Sequence, residues 1–365
     1  MSECYDLVII GAGPAGCSAA LEAASLGLGS VLLLEKENLP REKPCGGGIG
    51  PQSRRFLKRR GLWREVARAG YPIHAARLHT PSGQDFVLRG GSRAAVVRRS
   101  RLDAILARAA AAAGAVLRPG CPAEGLILER GRAVGVRAGG AELRAGWVLV
   151  ANGSLTRFHR HSSPRHRWLA CLGRYEGVPF RPHTIELLFS QTLFPRYGWL
   201  FPESADQVNI GLCLEHKWLR GRRIRDLFAE FLLRHFATRL SGARPMGELQ
   251  VHTILPSDRI ELRNVPGTLA AGDAARLVNL FTGEGISYAL RSGRLAARAL
   301  AAGLERGWSD ERVAACYRAG LRRHLEPSLR IGGWVCGSGR GFLHLGSRLA
   351  GLSLGRRLIY RTLAR

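Results

Sequence analysis

The sequence contains little lysine and little acid. Only four of its 55 basic residues are lysines, and 28 acidic residues leave a formal net charge of +27. One interpretation of this excess is an arginine-rich coding bias, which we favour for part of it. The other is a surface that contacts anionic lipid, diphosphates or nucleic acid. Nucleic acid is the least favoured of these, because the sequence contains no nucleic-acid recognition module.

Cysteine pairs, metal-ligand clusters and long apolar runs are also missing. The eight cysteines form no CxxC pair, and no His/Cys cluster has the spacing of a zinc site. No uninterrupted apolar segment is long enough to span a bilayer. The first apolar run is broken by glycines and has no basic leader or cleavage site. We therefore expect reduced thiols, no metal, no signal peptide and a cytoplasmic protein.

The pattern that is present is α/β, interrupted by antiparallel strands. Apolar runs at residues 5–10 and 30–35 predict buried parallel strands, with an alanine-rich helix between them. Alternating, aromatic-containing segments between about residues 157 and 260 predict an antiparallel sheet. The α/β pattern resumes at "GTLAAGDAA", residues 267–275. A chain of 365 residues suits two packed domains, so we expect an α/β domain with an inserted antiparallel sheet and a helical C-terminus.

A glycine-rich turn, "GAGPAG", lies between the first strand and the helix. Gly11 allows the tight turn, Gly13 lets the backbone approach a pyrophosphate, and Gly16 lets helix and strand pack closely. Glu35 ends the second strand, where a carboxylate accepts hydrogen bonds from a ribose diol and disfavours a 2′-phosphate. This pattern predicts a site for the adenosine diphosphate half of FAD or NAD.

A second motif, "AAGDAARLVNLFTGEGISYALRSG", distinguishes between these cofactors. Asp273 follows a strand, where its carboxylate can bind a ribitol hydroxyl. Residues 283–286 then begin a helix, whose N-terminal amides favour negative charge. A reduced flavin carries that charge at its pyrimidine edge, whereas NAD has no group that requires this second site. The two motifs together predict a Rossmann-like FAD-binding domain.

Three aromatic residues alternate in "YGWLFP". In a strand, Tyr197, Trp199 and Phe201 share one face. Aromatic residues are common in the core of antiparallel sheets, and that explanation remains open, above all for Phe201. For Tyr197 and Trp199 we favour the wall of a substrate cavity, because their polar atoms require partners when buried.

A cysteine precedes three consecutive glycines in "KPCGGGI". Cys45 is either a small buried apolar residue or a group that positions substrate or moves a proton. The glycines that follow remove side-chain bulk where a planar group approaches. Basic residues flank this segment, and for most of them we favour a solvated face over a site for a diphosphate or phospholipid headgroup; they are Arg41, Lys43, Arg54, Arg55, Lys58, Arg59 and Arg60.

These segments together resemble the geranylgeranyl reductase family, which belongs to the flavoproteins built like para-hydroxybenzoate hydroxylase. The matching residues are the GxGxxG turn with Glu35, "KPCGGGI", the "GDAA…TGEGI…A…SG" segment and "YGWLFP", which fits the family's YxWxFP motif. The first and third matches are shared by many flavoproteins, and the other two select the reductase branch. The resemblance covers roughly the first 300 residues.

The resemblance implies roles for individual residues. The expected cofactor-binding residues are Gly11, Gly13, Pro14, Ala15, Gly16, Glu35, Lys36, Cys45, Gly46, Gly47, Arg101, Ala123, Asn152, Gly153, Gly272, Asp273, Gly283, Glu284, Gly285 and Ile286. The expected substrate-binding residues are Gly47, Tyr197, Trp199 and Phe201, and the candidate catalytic residues are Cys45 and Tyr197. The family usually has aspartate where this chain has Asn152, which keeps the hydrogen bonding and loses the charge.

The implied activity is reduction of isolated C=C bonds in a geranylgeranyl or polyprenyl group. Hydride would come from reduced flavin, and the proton from Cys45, Tyr197 or an ordered water. The substrate is expected to be a prenylated lipid, a prenyl diphosphate or a quinone, and the external electron donor NAD(P)H or ferredoxin. The main alternative is a flavin-dependent monooxygenase or halogenase, because "YGWLFP" is similar to the WxWxIP motif of halogenases. A flavin-bound scaffold or electron carrier is a further alternative, in which the aromatic strand has no role.

The expected domain limits place the FAD-binding domain at residues 1–72, 96–157 and 263–308. Substrate-domain strands occupy residues 73–95, and the antiparallel-sheet substrate domain occupies residues 158–262. A basic helical region follows at residues 309–365. Its arginines and leucines at residues 345–361 are typical of a helix that lies on an anionic membrane, and equally of one that packs on the FAD-binding domain.

Overall fold

The computed structural model describes residues 3–81, 83, 85–158, 163–190, 193 and 196–338. The described residues divide into two compact units: one takes its residues from the ranges Met1–Arg41, Asp103–Arg165 and Leu255–Ile331, and the other from Glu42–Leu102, His166–Ile254 and residues 332–338. The functional domain limits given above stay predictions. The predicted amphipathic helix at residues 345–361 lies outside the described residues.

The described chain contains both strands and α-helices. The strands are β1 Glu3–Ile10, β2 Val31–Leu34, β3 Gly48–Ile49, β4 Tyr71–His79, β5 Asp85–Val96, β6 Val116–Arg118, β7 Ala123–Glu129, β8 Arg132–Ala138, β9 Ala141–Val150, β10 Trp168–Glu176, β11 Thr184–Leu188, β12 Gly198–Pro202, β13 Gln207–Glu215, β14 Arg244–Pro245, β15 Gln250–Ile254 and β16 Thr268–Ala270. The α-helices are α1 Pro14–Ser25, α2 Pro51–Arg59, α3 Trp63–Arg68, α4 Arg99–Ala112, α5 Ile224–Leu240, α6 Ile286–Glu305, α7 Asp310–His324 and α8 Glu326–Gly337. Short 3-10 helices span His216–Leu219 and Gly272–Ala275.

The first unit is built on a mixed sheet whose central strands are parallel. Its order is β6-β2-β1-β9-β8-β7, and β16 pairs in parallel with the C-terminal end of β9. β1 pairs in parallel with β2 and β9, while β7, β8 and β9 form an antiparallel meander. The run from Leu7 to Ile10 is buried throughout, as expected for a parallel strand covered on both faces. Helices α1 and α6 pack closely in this unit. The evidence is at Gly293 of α6, where a Cβ would stand only 2.0 Å from the Ala15 carbonyl oxygen of α1.

The second unit is built on a largely antiparallel sheet. Its order is β14-β10-β13-β12-β11-β4-β5-β3, with β15 beside β10, and only the β11–β4 pair is parallel. Helix α5 covers one face: Leu200, Ile210 and Leu212 point into a buried cluster with Phe228 and Phe231. The residues between them in β12 and β13 therefore point to the opposite face.

The α/β fold class with an inserted antiparallel sheet is confirmed. The predicted β1, α1 and β2 are present, and the segments between residues 157 and 260 supply strands β10–β15 of the largely antiparallel sheet. The short helices α2 and α3 carry no long period and were not predicted. Among the described helices, none combines the length and apolarity needed to cross a bilayer.

Candidate functional site

The glycine turn of the first unit has the geometry that its sequence requires. Gly11 has a φ of +105°, and a Cβ there would stand 2.7 Å from the Ala151 carbonyl oxygen. A Cβ on Gly16 would stand 1.9 Å from the Gly11 carbonyl oxygen. Both distances are far below van der Waals contact, so only glycine allows the chain to fold back at these points. The turn thereby brings the start of α1 against the end of β1.

Glu35 lies at the end of β2 and is buried beside this turn. Its Oε2 accepts hydrogen bonds from the Ala12 backbone N–H at 3.1 Å and from Arg41 Nη2 at 3.0 Å. Arg41 Nη1 lies 2.9 Å from Asp103 Oδ2, and the Asp103 side chain is fully buried. Sequence reasoning placed Arg41 among basic residues that are mostly solvated, but its side chain is only 12% exposed and pairs with both carboxylates. Arg41 and Asp103 are thus functional candidates that the sequence did not reveal.

The second motif meets the first motif at Gly272. This residue has a φ of +62°, and a Cβ there would stand 3.0 Å from Ala15 Cβ and 3.2 Å from Ala289 Cβ. Ala15 lies in the first turn of α1 and Ala289 in the first turn of α6. The Gly272 N–H donates to Ser292 Oγ at 2.9 Å. The starts of the two helices therefore converge on one glycine within this unit.

The segment before α6 is held by a buried asparagine. Asn279 Oδ1 accepts hydrogen bonds from the backbone N–H groups of Phe281 and Thr282, and its Nδ2 donates to Tyr288 Oη at 3.1 Å. Asp273 lies beside the end of this segment, since its Oδ1 is 3.2 Å from the position of a Cβ on Gly285. Asp273 and Gly285, which are twelve positions apart in the sequence, are thus neighbours in space.

Glu284 belongs to the same segment. Desolvation raises the pKa of its carboxyl group, although Ser287 and Arg291 oppose the shift.

The starts of α1 and α6 fit an anionic cofactor. Their N-cap residues are Gly13 and Gly285, neither has a side-chain cap, and neither first turn contains an acidic residue. The first backbone N–H groups are therefore left for an outside acceptor, and the helix dipole favours negative charge there. A pyrophosphate and the anionic edge of a reduced flavin supply such acceptors. The residues present in this unit fit FAD.

Other expected cofactor residues lie in more varied positions. The Asn152 Cα is 2.9 Å from the position of a Cβ on Gly11, and Gly153 has a φ of +94°. The Ala123 carbonyl accepts a hydrogen bond from Arg157 Nη2 at 3.3 Å. Lys36 is exposed and pairs with neighbouring Glu37. In the second unit, Arg101 Nη1 donates to the Ala69 carbonyl at 3.0 Å. The roles predicted for these residues stay predictions.

The second unit has an aromatic face, formed by Tyr197, Trp199 and Phe201 on the side of β12 away from α5. Ring centroids are 6.3 Å apart for Tyr197–Trp199 and again for Trp199–Phe201, so the three rings follow one another along the strand. Trp199 is opposite Gly211 in β13, where a Cβ would stand 2.2 Å from its ring. The absence of a side chain at Gly211 therefore makes room for the indole.

The Cys45 loop, residues 45–48, lies over this aromatic face. A Cβ on Gly46 would stand 3.0 Å from the Phe201 ring, so the glycine allows the loop to approach the ring closely. Gly47 has a φ of +73°, and its carbonyl accepts a hydrogen bond from the Val97 N–H at 2.9 Å. The Gly47 N–H lies 3.3 Å from Cys45 Sγ in hydrogen-bond geometry. The structure thus brings together the two most specific sequence motifs.

A residue that sequence reasoning missed joins the loop to the aromatic face. Asn209 is fully buried in β13, its Oδ1 accepts a hydrogen bond from Trp199 Nε1 at 2.8 Å, and its Nδ2 donates to the Cys45 carbonyl at 3.1 Å. The indole N–H therefore has a protein partner. The sequence contained one indication of its importance, since Asn209 is a polar residue among the apolar residues of "QVNIGLCL".

The described residues include all eight cysteines, and none of these forms a disulfide. Cys213 lies on the same strand face as Asn209, and burial raises the pKa of its thiol to about 11. Among the described residues, no group of three or more His, Cys, Asp or Glu side chains could hold a metal ion.

Comparison with known proteins bears on the domain type, the family and the fold. Residues 4–163 match the model of an FAD binding domain family. The chain is 31% identical over 344 residues to digeranylgeranylglycerophospholipid reductase 2 of Methanothermobacter thermautotrophicus, covering 90% of this chain and 86% of the relative.

Two solved structures share the fold. A geranylgeranyl bacteriochlorophyll reductase-like protein from Thermoplasma acidophilum has a TM-score of 0.80 at 24% identity, covering 91% of this chain and 87% of its own. The flavin-dependent brominase Bmp2 has a TM-score of 0.84 at 22% identity, covering 99% and 93%. At these identities the structures support the fold alone, whereas the sequence relative supports the family. The chain therefore belongs to the geranylgeranyl reductase family of FAD-dependent oxidoreductases.

Proposed function

We propose that this protein saturates C=C bonds in the prenyl chains of a lipid of the digeranylgeranylglycerophospholipid class. The observation that carries the proposal is the aromatic face of the second unit with the glycine-rich Cys45 loop against it. Three consecutive rings give an apolar surface suited to an elongated isoprenoid chain. The name of the relative at 31% identity supports the same substrate class.

The chemistry divides between the cofactor and the chain. Bound FAD, once reduced, supplies the hydride. An isolated alkene has no carbonyl to polarise, so the protein must hold the chain in place and supply a proton. Tyr197, Trp199 and Phe201 bind and orient the chain in this proposal. Cys45 donates the proton, with Tyr197 or an ordered water as the alternatives; its sulfur is held in place by the Gly47 N–H.

The product mass tests this function. Purified holoenzyme is reduced without oxygen, incubated with digeranylgeranylglycerophospholipid, geranylgeranyl diphosphate or a prenylated quinone, and analysed by mass spectrometry. We expect two added hydrogens per double bond, with the phospholipid as the best substrate. Addition of oxygen or halogen only in air would instead establish the monooxygenase or halogenase activity. NAD(P)H and ferredoxin are compared as electron donors in the same assay.

We further propose that the protein binds peripherally to the surface of anionic membranes, which contain such a lipid substrate. Helices α2 and α3 support this, because their exposed residues are predominantly basic. These are Arg55, Lys58, Arg59, Arg64 and Arg68, against the acidic Glu65. Co-sedimentation with phosphatidylglycerol vesicles should weaken as salt rises, and should weaken further when Arg55, Lys58 and Arg59 are replaced by glutamine. Salt-independent binding, or equal binding to neutral vesicles, would contradict this proposal.

A further inference from the structure

Asn209 is an amide on the side of β13 that faces the Cys45 loop. Its cross-strand neighbours are Phe201 in β12 and Arg174 in β10. The adjacent residues Val208 and Ile210 point to the other side and are buried in the core beneath α5. A fully buried amide is costly unless its donors and acceptor are satisfied, so its partners indicate why it is there.

Its partners allow only one orientation of the amide. The indole of Trp199 can only donate, and the Cys45 carbonyl can only accept. Asn209 Oδ1 therefore receives the indole N–H at 2.8 Å, and Nδ2 faces the Cys45 carbonyl at 3.1 Å. Nδ2 also lies 3.4 Å from Glu203 Oε1, a second acceptor. In the reverse orientation, the amide NH2 group would face the indole N–H, which is also a donor. The amide oxygen would face the Cys45 carbonyl and the Glu203 carboxylate, which are also acceptors.

Glu203, the second acceptor near Asn209, is itself held in a fixed position. Its carboxylate accepts hydrogen bonds from Arg98 Nε at 2.6 Å and from Arg174 Nε at 3.0 Å, and the side chain is only 3% exposed. Two charged donors hold Glu203 in position, so the acceptor near Asn209 has little freedom to move. The Asn209 amide is thus held by a buried ion-pair network on one side and a large indole on the other.

We propose that Asn209 is a positioning residue, which fixes the Cys45 loop against Trp199. Holding the Cys45 carbonyl sets the main chain at this residue, and the Gly47 N–H then sets the direction of the sulfur. Gly46 permits the approach, since only its missing side chain allows the Phe201 ring to come so close. The proposal rests on the proposed function only in assigning Cys45 a part in the reduction.

Two substitutions remove the bond to Cys45 in different ways. Asn209→Asp keeps an acceptor for the indole but faces the Cys45 carbonyl and Glu203 with a carboxylate, which cannot donate when ionised. Asn209→Leu has a similar size and removes both hydrogen bonds without adding charge. Without the hydrogen bond from Asn209 to the Cys45 carbonyl, the Cys45 loop should spend more time in open conformations. The Cys45 thiol, which is half-buried in the closed loop, should then become more reactive.

The test is alkylation of the FAD-loaded protein by iodoacetamide, followed cysteine by cysteine by peptide mass spectrometry. We expect both variants to raise the alkylation rate of Cys45 at least tenfold, while buried Cys171 and Cys213 stay as slow as in the wild type. Lowering the pH should reverse part of the effect in Asn209→Asp, because a protonated carboxyl can donate to the Cys45 carbonyl. The effect is the ratio of the variant rate to the wild-type rate at the same pH, because acid slows alkylation of every thiol. For Asn209→Leu this ratio should show no such recovery.

Two outcomes would overturn the proposal. An unchanged Cys45 rate in folded Asn209→Leu, which cannot donate at any pH, would show that Asn209 does not hold the loop. A parallel rise at Cys45, Cys171 and Cys213 would show general loosening instead of positioning. The rates do not depend on turnover, so a failure of the proposed reductase activity remains distinguishable: the wild type would then give no saturated product whatever the alkylation pattern.

Discussion

The Arg41 guanidinium lies 3.0 Å from the Glu35 carboxylate at the expected ribose site. The same guanidinium lies 2.9 Å from the buried Asp103, so one cation holds two carboxylates. Glu35 in turn accepts the Ala12 N–H of the glycine turn. An orienting cation behind an acceptor carboxylate limits its rotation, which prepares it for a hydroxyl ligand.

Replacing Arg41 should therefore affect both stability and cofactor affinity. In Arg41→Met, Asp103 stays buried after losing a countercharge, and breaking such a pair costs about 3–5 kcal/mol. We expect a clear fall in the free energy of unfolding and at least tenfold weaker FAD binding, measured by flavin fluorescence. The double variant with Asp103→Leu separates the effects: stability should recover in part, because only Glu35 then lacks its countercharge, and FAD affinity should not recover. Recovery of both would mean that Arg41 acts only through stability.

Cys45 is expected to act in proton transfer. Cys45→Ala should lower the rate of prenyl reduction by the FAD-saturated enzyme by about 10²-fold or more, the usual range for loss of a general acid. Cys316→Ala is the matched control, since Cys316 is exposed in the first unit. Tyr197→Phe provides the comparison. If it abolishes reduction while Cys45→Ala does not, the phenol is the acid and the role assigned to Cys45 is wrong.

Local sequence patterns predicted the elements that carry the site. The GxGxxG turn follows a short apolar strand, and both steric demands appear in the structure at Gly11 and Gly16. The alternation of Tyr197, Trp199 and Phe201 predicted a shared strand face, and the ring separations agree. Such features depend on neighbours within a few residues, so periodicity and turn chemistry determine them.

Contacts between distant residues could not be predicted in this way. Arg41 and Asp103 are far apart in sequence, and nothing near either residue identifies the other as its partner. Asn209 and Cys45 are separated by 164 positions. The glycines after Cys45 were expected to make room for a planar group, and the described ring nearest Gly46 is that of Phe201. Tertiary pairing decides these contacts, and one sequence contains no signal for it.

The acid stability of the second unit should depend on Glu186. Burial opposes its ionisation, but hydrogen bonds from His79 and Arg239 outweigh burial and lower its pKa from 4.5 to about 2. A depressed pKa contributes stability that is fully present above pH 4.5 and lost as the pH falls towards 2. The difference corresponds to about 3 kcal/mol.

Glu186→Gln removes this titration. We expect the variant to be less stable at neutral pH and its urea-unfolding free energy to fall less steeply between pH 5 and 2. Glu248→Gln, at an exposed position, should keep the wild-type slope. Parallel curves for wild type and Glu186→Gln would show that the interactions of Glu186 with His79 and Arg239 do not control acid unfolding.

The aromatic face should depend on Gly211, which lies opposite Trp199 in the neighbouring strand. A Cβ on Gly211 would stand 2.2 Å from the Trp199 ring, so Gly211→Ala must displace the indole and weaken its hydrogen bond to Asn209. We expect lower turnover and a higher share of partly reduced products, because the prenyl chain loses a fixed wall. Gly242→Ala in the same unit is the control, since a Cβ there meets nothing within 4 Å. Mass spectrometry of the product mixture measures both variants. A product pattern in Gly211→Ala that matches the wild type would mean that the position of Trp199 does not guide the substrate, and the aromatic face would then have to be assigned to packing alone.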